Sequence, residues 1–201
     1  KQLFNRIHQN IVYGQLANLM SVPTDCPQRD ERMGWMGDAQ LVVEEAVHNF
    51  DMAAFYVKYL QDMKDAQQED GSLSDVIPPY WPRYPADPAW GTAYITIAWA
   101  MYRYYGDVEL LKEHYDSMKK WVKFLESKEE NGLVTYVKYG DWCPPCSVLP
   151  KKNPREMTSA FYYYHDVLHL GQIARVIGEE EDAQYFHKKA AEIREAFNKK
   201  Y

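Results

Sequence analysis

One segment near the start of the chain concentrates residues that could do chemistry. The fourteen residues from Asp25 to Asp38 contain four carboxylates, two arginines and a tryptophan, together with a proline and two glycines. Glycoside hydrolysis uses such groups, because a carboxylic acid must keep its proton near neutral pH to protonate the leaving oxygen. Crowded carboxylates raise one another's pKa and the arginines oppose this, so the pattern alone does not settle which effect dominates.

A structural role for this segment stays open beside the catalytic one. Charged connectors are often simply solvated, and Asp38 precedes an apolar helical pattern, which is equally typical of a helix cap. A cap can also bind a ligand. Composition does not choose between the two interpretations.

Aromatic residues in two other segments could complete a carbohydrate site. The candidates in loops or at a helix start are Tyr80, Trp81, Trp90 and Trp142. Sugars stack their C–H faces on such rings, while carboxylates and arginines bind the hydroxyl groups. Core packing is the alternative, and we expect it for Trp99 and Trp121, which lie well inside predicted helices.

Composition and charge limit the class of protein. The 201 residues are 46% hydrophobic, which is enough for one packed core. The net charge of -6, with basic residues spread among acidic ones, argues against a nucleic-acid partner. No apolar run approaches the roughly 20 residues that span a bilayer, so no membrane partner is expected. No signal-peptide pattern follows Lys1, and localisation stays unknown.

Two smaller motifs are predicted to be structural. Cys143 and Cys146 are separated by two prolines, but neither a βαβ context nor a second ligand pair accompanies them. Whether the two thiols are paired stays open. His165 and His169 share a helical face without a nearby third ligand, so we predict no metal site there.

Apolar residues recur at helical spacing along almost the whole chain, which predicts an all-α fold. The expected helices cover residues 2–19, 39–49, 52–68, 88–105, 108–127, 154–177 and 183–199. The alternation from Leu133 to Tyr139 predicts one short strand. Asp87 and Asn153 each precede a proline and are expected N-caps, the second with Glu156 in a capping box. The other expected caps are Asp38, Asp51, Asp107 and Asp182.

Helices of two kinds alternate along the chain. Residues 89–101 carry no charge, whereas residues 107–126 show a single apolar stripe between charges. Short connections imply antiparallel hairpins with one buried and one half-exposed helix, which predicts an α/α toroid of two layers, with a helical solenoid as the alternative. Three long connections all precede inner helices and should gather on one face. They run over residues 20–37, 69–87 and 128–153.

The segment from Asp25 to Gln40 resembles the motif of the bacterial α-L-rhamnosidases, glycoside hydrolase family 78. The similarity extends over the whole chain, and Trp90 and Trp142 fall where that family places sugar-contacting tryptophans. The resemblance implies that residues 1–201 are the N-terminal part of a six-hairpin (α/α)6 catalytic domain. About seven of its twelve helices, roughly half of the barrel, would then be present.

The resemblance also implies an inverting mechanism with assigned residues. Glu31 matches the general acid of the family. The residues that match its hydroxyl-binding groups and aromatic walls are Asp25, Arg29, Asp38, Trp35, Trp90 and Trp142. The family's general base is a glutamate from the second half of the barrel, beyond Tyr201, so the chain alone should hydrolyse little. Acid, base and water suffice for the reaction, so neither cofactor nor metal is expected.

The implied function is removal of terminal α-L-rhamnose from glycosides or polysaccharides, with the rest of the catalytic domain as a partner. Two alternatives stay open. Another exo-glycosidase could use the same barrel, and competition by free L-rhamnose would separate that case. A non-catalytic carbohydrate-binding helical protein is the other, and for it Glu31→Gln should change nothing.

Overall fold

The computed structural model describes residues 1–148 and 153–201, and nearly all of its regular structure is helical. The helices are α1 (Gln2–Asn18), α2 (Met36–Asn49), α3 (Ala53–Ala66), α4 (Pro88–Gly91), α5 (Ala93–Tyr105), α6 (Val108–Ser127), α7 (Glu156–Ile177) and α8 (Glu180–Lys200). The strands β1 (Glu129–Glu130) and β2 (Leu133–Val134) form an antiparallel pair. No helix among the described residues is long and apolar enough to cross a membrane. The all-α prediction is confirmed.

The helices form two layers, as the alternating patterns predict. Helix α5 contacts α2 and α7, which together form the inner layer, while α3, α6 and α8 pack behind them. Burial follows the charge pattern: α5 is buried over most of Ala93–Met101, whereas α6 buries a stripe that includes Leu111, Met118 and Val122. An uncharged helix can be covered on all sides, but an amphipathic helix must keep one face in water.

Tertiary contacts shift two of the predicted helix boundaries. Helix α2 begins at Met36 instead of residue 39, because the Met36 N–H donates to the Asp75 carbonyl at 2.9 Å and fixes the first turn. The helix expected over residues 88–105 is divided at Thr92. The Thr92 hydroxyl donates to the buried Asp166 carboxylate on α7 at 2.5 Å, which ties this junction to the inner layer.

The predicted strand from Leu133 to Tyr139 is mostly wrong. Only its first two residues lie in a strand, β2. The Tyr136 hydroxyl donates to the Ala86 carbonyl at 2.8 Å, and the Lys138 N–H donates to the Asp87 carboxylate at 2.7 Å. The alternating pattern therefore reflects a segment that packs across the start of α4.

The cap predictions have mixed outcomes. Asp87 and Asp107 cap α4 and α6, and each side chain accepts a backbone N–H bond of 2.9 Å. The prediction for Asn153 is wrong, because α7 begins at Glu156 after Arg155 and has no side-chain cap. It is also wrong for Asp38 and Asp182, which lie inside first turns. Asp51 lies one residue before the N-cap position of α3, but its side chain still accepts the Ala53 N–H of the first turn at 3.2 Å.

The three long loops gather on one face, as predicted. Trp35 and Val76 form an antiparallel bridge between the first two loops, and the Ile77 N–H donates to the Gly34 carbonyl at 2.9 Å. The third loop joins them through its bonds to Asp87. Residues 149–152 of this loop lie outside the described part of the chain.

The close approach of α4 to α6 depends on a glycine. A Cβ atom on Gly91 would lie 2.2 Å from Cζ2 of Trp121, an indole with no solvent exposure. We expect Gly91→Ala to lower the free energy of unfolding by about 1–3 kcal/mol in urea unfolding, because the indole must move in a filled core.

Gly14→Ala is the matched control for Gly91→Ala. A Cβ atom on Gly14 in α1 would meet nothing within 4 Å. Alanine favours helix over glycine, so stability should stay the same or rise by up to about 1 kcal/mol. Equal losses in the two variants would contradict the crowding at Gly91.

Candidate active site

All seven residues predicted from the sequence to form the site line one cavity of about 150 Å³. The lining residues are Asp25, Cys26, Arg29, Glu31, Trp35, Asp38, Trp90, Tyr139 and Trp142. They come from the first loop, the start of α2, helix α4 and the third loop. Residues more than a hundred positions apart thus share one pocket because the loops converge there.

Glu31 is held between two donors. Its Oε2 lies 2.8 Å from Nη2 of Arg29, and its Oε1 accepts a 2.6 Å hydrogen bond from Nε1 of Trp35. Its side chain remains 23% exposed, so the carboxyl is oriented by protein and still open to a ligand. A positioned, accessible carboxyl is what proton transfer to a bound molecule requires.

Asp25 anchors the acidic loop from beneath. Its side chain is 3% exposed and lies 3.4 Å from Nη2 of Arg29. Its Oδ1 accepts from the Met33 N–H at 3.2 Å, and its own N–H donates to the Met33 carbonyl. Arg29 therefore bridges Asp25 and Glu31 and fixes their relative position.

The second arginine of the loop has a different role. Arg32 has a backbone φ of 52° and points away from the cavity. Its guanidinium donates to the Ala17 carbonyl of α1 at 2.8 Å and to the Pro27 carbonyl at 3.0 Å. It fastens the loop, whereas Arg29 serves the pocket.

Asp38 lies in the first turn of α2, at the open side of the cavity. Part of the residue faces solvent, and the rest is enclosed by protein. Desolvation raises the pKa of Asp38, and the charge of Asp25 raises it further. The carboxyl keeps its proton to a higher pH than an ordinary aspartate and can then donate as well as accept a hydrogen bond.

Three tryptophans form the wall of the pocket, as predicted. Trp90 is 8% exposed and lies against Gly37, where a Cβ atom would come within 2.5 Å of the indole. The Trp90 Nε1 is buried and has no acceptor among the described residues. Trp142 is 48% exposed, and Trp35 is half-buried beside Glu31. The wall therefore offers ring faces to a ligand, while the Trp90 N–H stays enclosed by protein.

Sequence reasoning missed Tyr139 and Arg83. The Tyr139 ring lies among the three tryptophans, and Nε of Arg83 donates to the Tyr139 hydroxyl at 3.2 Å. The Arg83 guanidinium also lies over the ring of Trp81, 4.2 Å from its centroid. Proximity to Trp142 in the sequence was the available signal, but the strand prediction over Tyr139 obscured it.

The other aromatic expectations have mixed outcomes. Trp121 is fully buried and donates to Asp166 at 2.9 Å, so core packing is confirmed. Trp99 also packs against the core, but it is only partly buried and lines a second cavity with His165 and His169. Tyr80 and Trp81 are exposed and do not line the cavity that contains Glu31. They flank the site without forming its wall.

The histidines have structural contacts, as expected. His169 Nδ1 lies 2.8 Å from the His165 carbonyl, and His165 Nδ1 lies 3.2 Å from the Asp166 carboxylate. Burial lowers the pKa of His169, and the neighbouring His165 lowers it further. Within the described ranges, no three His, Cys, Asp or Glu side chains could hold a metal ion together.

Two carboxylates with no solvent exposure position Tyr139 and Trp90: Asp75 and Asp87. Asp87 Oδ1 accepts from the Ala89 N–H, while its Oδ2 accepts from the N–H groups of Lys138 at 2.7 Å and Tyr139 at 3.0 Å. Burial raises the pKa of Asp87, and these three bonds oppose the rise. The carboxylate links the start of α4 to the third loop.

Asp75 lies in the second loop and also supports the third loop. Its Oδ1 accepts from the Asp87 N–H at 2.7 Å. Its Oδ2 accepts from Nζ of Lys138 at 2.8 Å and from the Tyr139 hydroxyl at 2.9 Å. Every oxygen of this buried pair therefore has a donor, which is the condition for burying such groups without a large loss of stability.

We expect Asp87→Asn to lower the free energy of unfolding by about 1–3 kcal/mol, because one amide oxygen cannot serve three donors on two sides. Whichever way the amide turns, its NH₂ faces a backbone N–H. Asp107→Asn is the control, since asparagine is also a good N-cap and the Asp107 carboxylate accepts one bond from the described residues, that of the Leu110 N–H. Urea unfolding measures both, and similar losses would contradict the special role of Asp87.

Comparison with known proteins gives a consistent family. Residues 1–201 match the model of the bacterial alpha-L-rhamnosidase 6 hairpin glycosidase domain. An alpha-L-rhamnosidase of Streptomyces avermitilis is 34% identical over 199 residues, which are 99% of this chain and 19% of that protein. One from Formosa agariphila is 30% identical over 96% of this chain and 21% of its own length.

Solved structures agree with this assignment. The alpha-L-rhamnosidase from Dictyoglumus thermophilum is 61% identical with a TM-score of 0.98, over 100% of this chain and 23% of that one. The Streptomyces avermitilis alpha-L-rhamnosidase complexed with L-rhamnose is 33% identical with a TM-score of 0.89, over 98% and 19%. The chain spans about a fifth of the length of these relatives. By its sequence and its helical hairpins alike, the chain belongs to the bacterial alpha-L-rhamnosidase six-hairpin glycosidase domain family.

Proposed function

We propose that the chain is the N-terminal part of the catalytic domain of an α-L-rhamnosidase that removes terminal α-L-rhamnose from glycosides or polysaccharides. The observation that carries this proposal is the position of Glu31, a carboxyl held by Arg29 and Trp35 at the edge of a pocket with a tryptophan wall. One relative is described in complex with L-rhamnose, which supports a carbohydrate ligand for the shared fold.

In the proposed reaction, Glu31 donates a proton to the glycosidic oxygen as the bond breaks. Asp25, Arg29 and Asp38 bind sugar hydroxyl groups, and the tryptophan rings stack on the apolar face of the sugar. The pocket thereby holds the sugar beside the acid.

Inversion needs a second carboxylate about 6.5–9.5 Å from the acid, with a water between them. Asp25 is committed to Arg29 and to the Met33 N–H, so it is a poor candidate for this base. We assign the base to the rest of a longer protein, since the relatives are about five times the length of this chain. The 201-residue chain alone should then show almost no turnover.

Glu31→Gln tests the acid in the full-length protein. On α-L-rhamnosides with poor leaving groups, kcat/KM should fall by about 100-fold or more, because departure of the oxygen then depends on protonation. On aryl rhamnosides with activated leaving groups, kcat/KM should fall much less, because such leaving groups depart without a proton. A panel of other aryl α-glycosides tests the choice of sugar.

Asp30→Asn is the matched control for Glu31→Gln. Asp30 lies in the same loop, is exposed and does not line the cavity. With Asp30→Asn, kcat/KM on both kinds of rhamnoside should therefore stay within about twofold of the wild-type value. If the wild-type protein cleaves another glycoside of the panel faster than the rhamnoside, that sugar replaces rhamnose as the proposed substrate. Unchanged sugar binding and function in Glu31→Gln would favour a non-catalytic binding protein.

Gly37→Ala tests the tryptophan wall without removing a catalytic group. The new Cβ atom would displace the Trp90 indole, which now lies within 2.5 Å of that position. We expect KM for an aryl rhamnoside to rise roughly three- to tenfold with a smaller change in kcat, since ring stacking contributes to ground-state and transition-state binding alike. Gly14→Ala should leave both constants unchanged, and the same KM in all three proteins would exclude a stacking role for Trp90.

A further inference from the structure

We propose that Tyr139 is a positioning residue for Glu31: its hydroxyl, anchored on the buried Asp75, holds the ring that orients Trp35, and Trp35 in turn orients the acid. This inference rests on the proposed function, because it assigns Tyr139 a part in acid catalysis. Tyr139 acts through other side chains, since its hydroxyl is turned towards a residue with no solvent exposure.

The Tyr139 hydroxyl is fixed by two bonds. It donates to Oδ2 of Asp75 at 2.9 Å and accepts from Nε of Arg83 at 3.2 Å. Burial raises the pKa of Tyr139 above its ordinary value, and the Asp75 charge raises it further. The phenol therefore stays protonated and continues to donate over the whole neutral range.

The Tyr139 ring connects the three tryptophans of the pocket. Its centroid lies 4.3 Å from that of Trp90, 6.1 Å from that of Trp35 and 5.8 Å from that of Trp142. The contact with Trp35 is edge-to-face, with an angle of 80° between the planes. Such contacts favour one ring orientation over its alternatives.

Trp35 transmits this constraint to the acid. Its backbone is already fixed by the bridge to Val76, so the remaining freedom lies in its side-chain torsions. The Trp35 ring makes one edge-to-face contact with Tyr139 and a second with Trp81, whose ring centroid lies 6.5 Å from that of Trp35. The Nε1–H of Trp35 then meets Oε1 of Glu31 at 2.6 Å.

Loss of the Tyr139 anchor should therefore affect proton donation before it affects binding. A general acid must lie within hydrogen-bond reach of the oxygen that it protonates, and small displacements lower the rate steeply. Substrates with poor leaving groups need that proton, whereas activated ones do not. The expected signature is a dependence on the leaving group, which a general loss of folded enzyme cannot produce.

Tyr139→Phe in the full-length protein is the test. The phenylalanine keeps the ring and removes the bond to Asp75. We expect kcat/KM on poor-leaving-group rhamnosides to fall about tenfold more than on an activated aryl rhamnoside. This difference is smaller than the one expected on removal of the general acid, because Glu31 is still present. A fall of equal size on both substrates, or none on either, would overturn the proposal.

Tyr136→Phe is the matched control. Tyr136 lies three residues away, is also partly buried, and loses a comparable bond, from its hydroxyl to the Ala86 carbonyl at 2.8 Å. Its ring contacts Phe124 and does not line the pocket. Melting temperatures of both variants report any structural loss, and Tyr136→Phe should change the two substrates equally.

Further outcomes separate this inference from the proposed function. Arg83→Met removes the other partner of the Tyr139 hydroxyl and should show the same leaving-group dependence, which keeps the test valid if Tyr139→Phe does not fold. A wild-type protein that cleaves no rhamnoside would overturn the function and the inference together. Leaving-group dependence in Glu31→Gln but in neither Tyr139→Phe nor Arg83→Met would overturn the inference alone.

Discussion

Asp75 and Asp87, two carboxylates without solvent exposure, hold together the loops that build the pocket. They accept hydrogen bonds from the second loop, the start of α4 and the third loop, including both the backbone and the hydroxyl of Tyr139. Burial of an ionised carboxylate is costly unless each oxygen is paired. The loops must therefore adopt the arrangement that supplies these donors, and that arrangement places Trp90, Tyr139 and Trp142 around one cavity.

The helical layers make this convergence possible. Each inner helix follows a long loop, so the starts of α2, α4 and α7 bring those loops to the same face of the hairpin array. Trp35 meets Val76 there, and the missing side chain of Gly37 lets Trp90 lie directly against α2. Backbone bonds and close packing position the residues of the pocket, which suits a reaction that depends on the position of one proton donor.

Charge is distributed unequally over the acidic loop. Arg29 forms salt bridges with Asp25 and Glu31, whereas Asp38 forms none with the described residues, and its pKa is raised by desolvation and by the charge of Asp25. Neighbouring acids in the same pocket are thus given different electrostatic environments.

The sequence by itself determined the helical hairpins, the buried and half-exposed faces, the convergence of the long loops and the seven pocket residues that the family motif marks. Helical periodicity and motif spacing are local properties, so they can be read directly from the chain. Only the tertiary structure decided that residues 135–139 leave the expected strand, that Tyr139 and Arg83 join the site, and that Arg32 turns away. These outcomes depend on bonds between segments some 15 to 64 residues apart, whose partners no local pattern specifies.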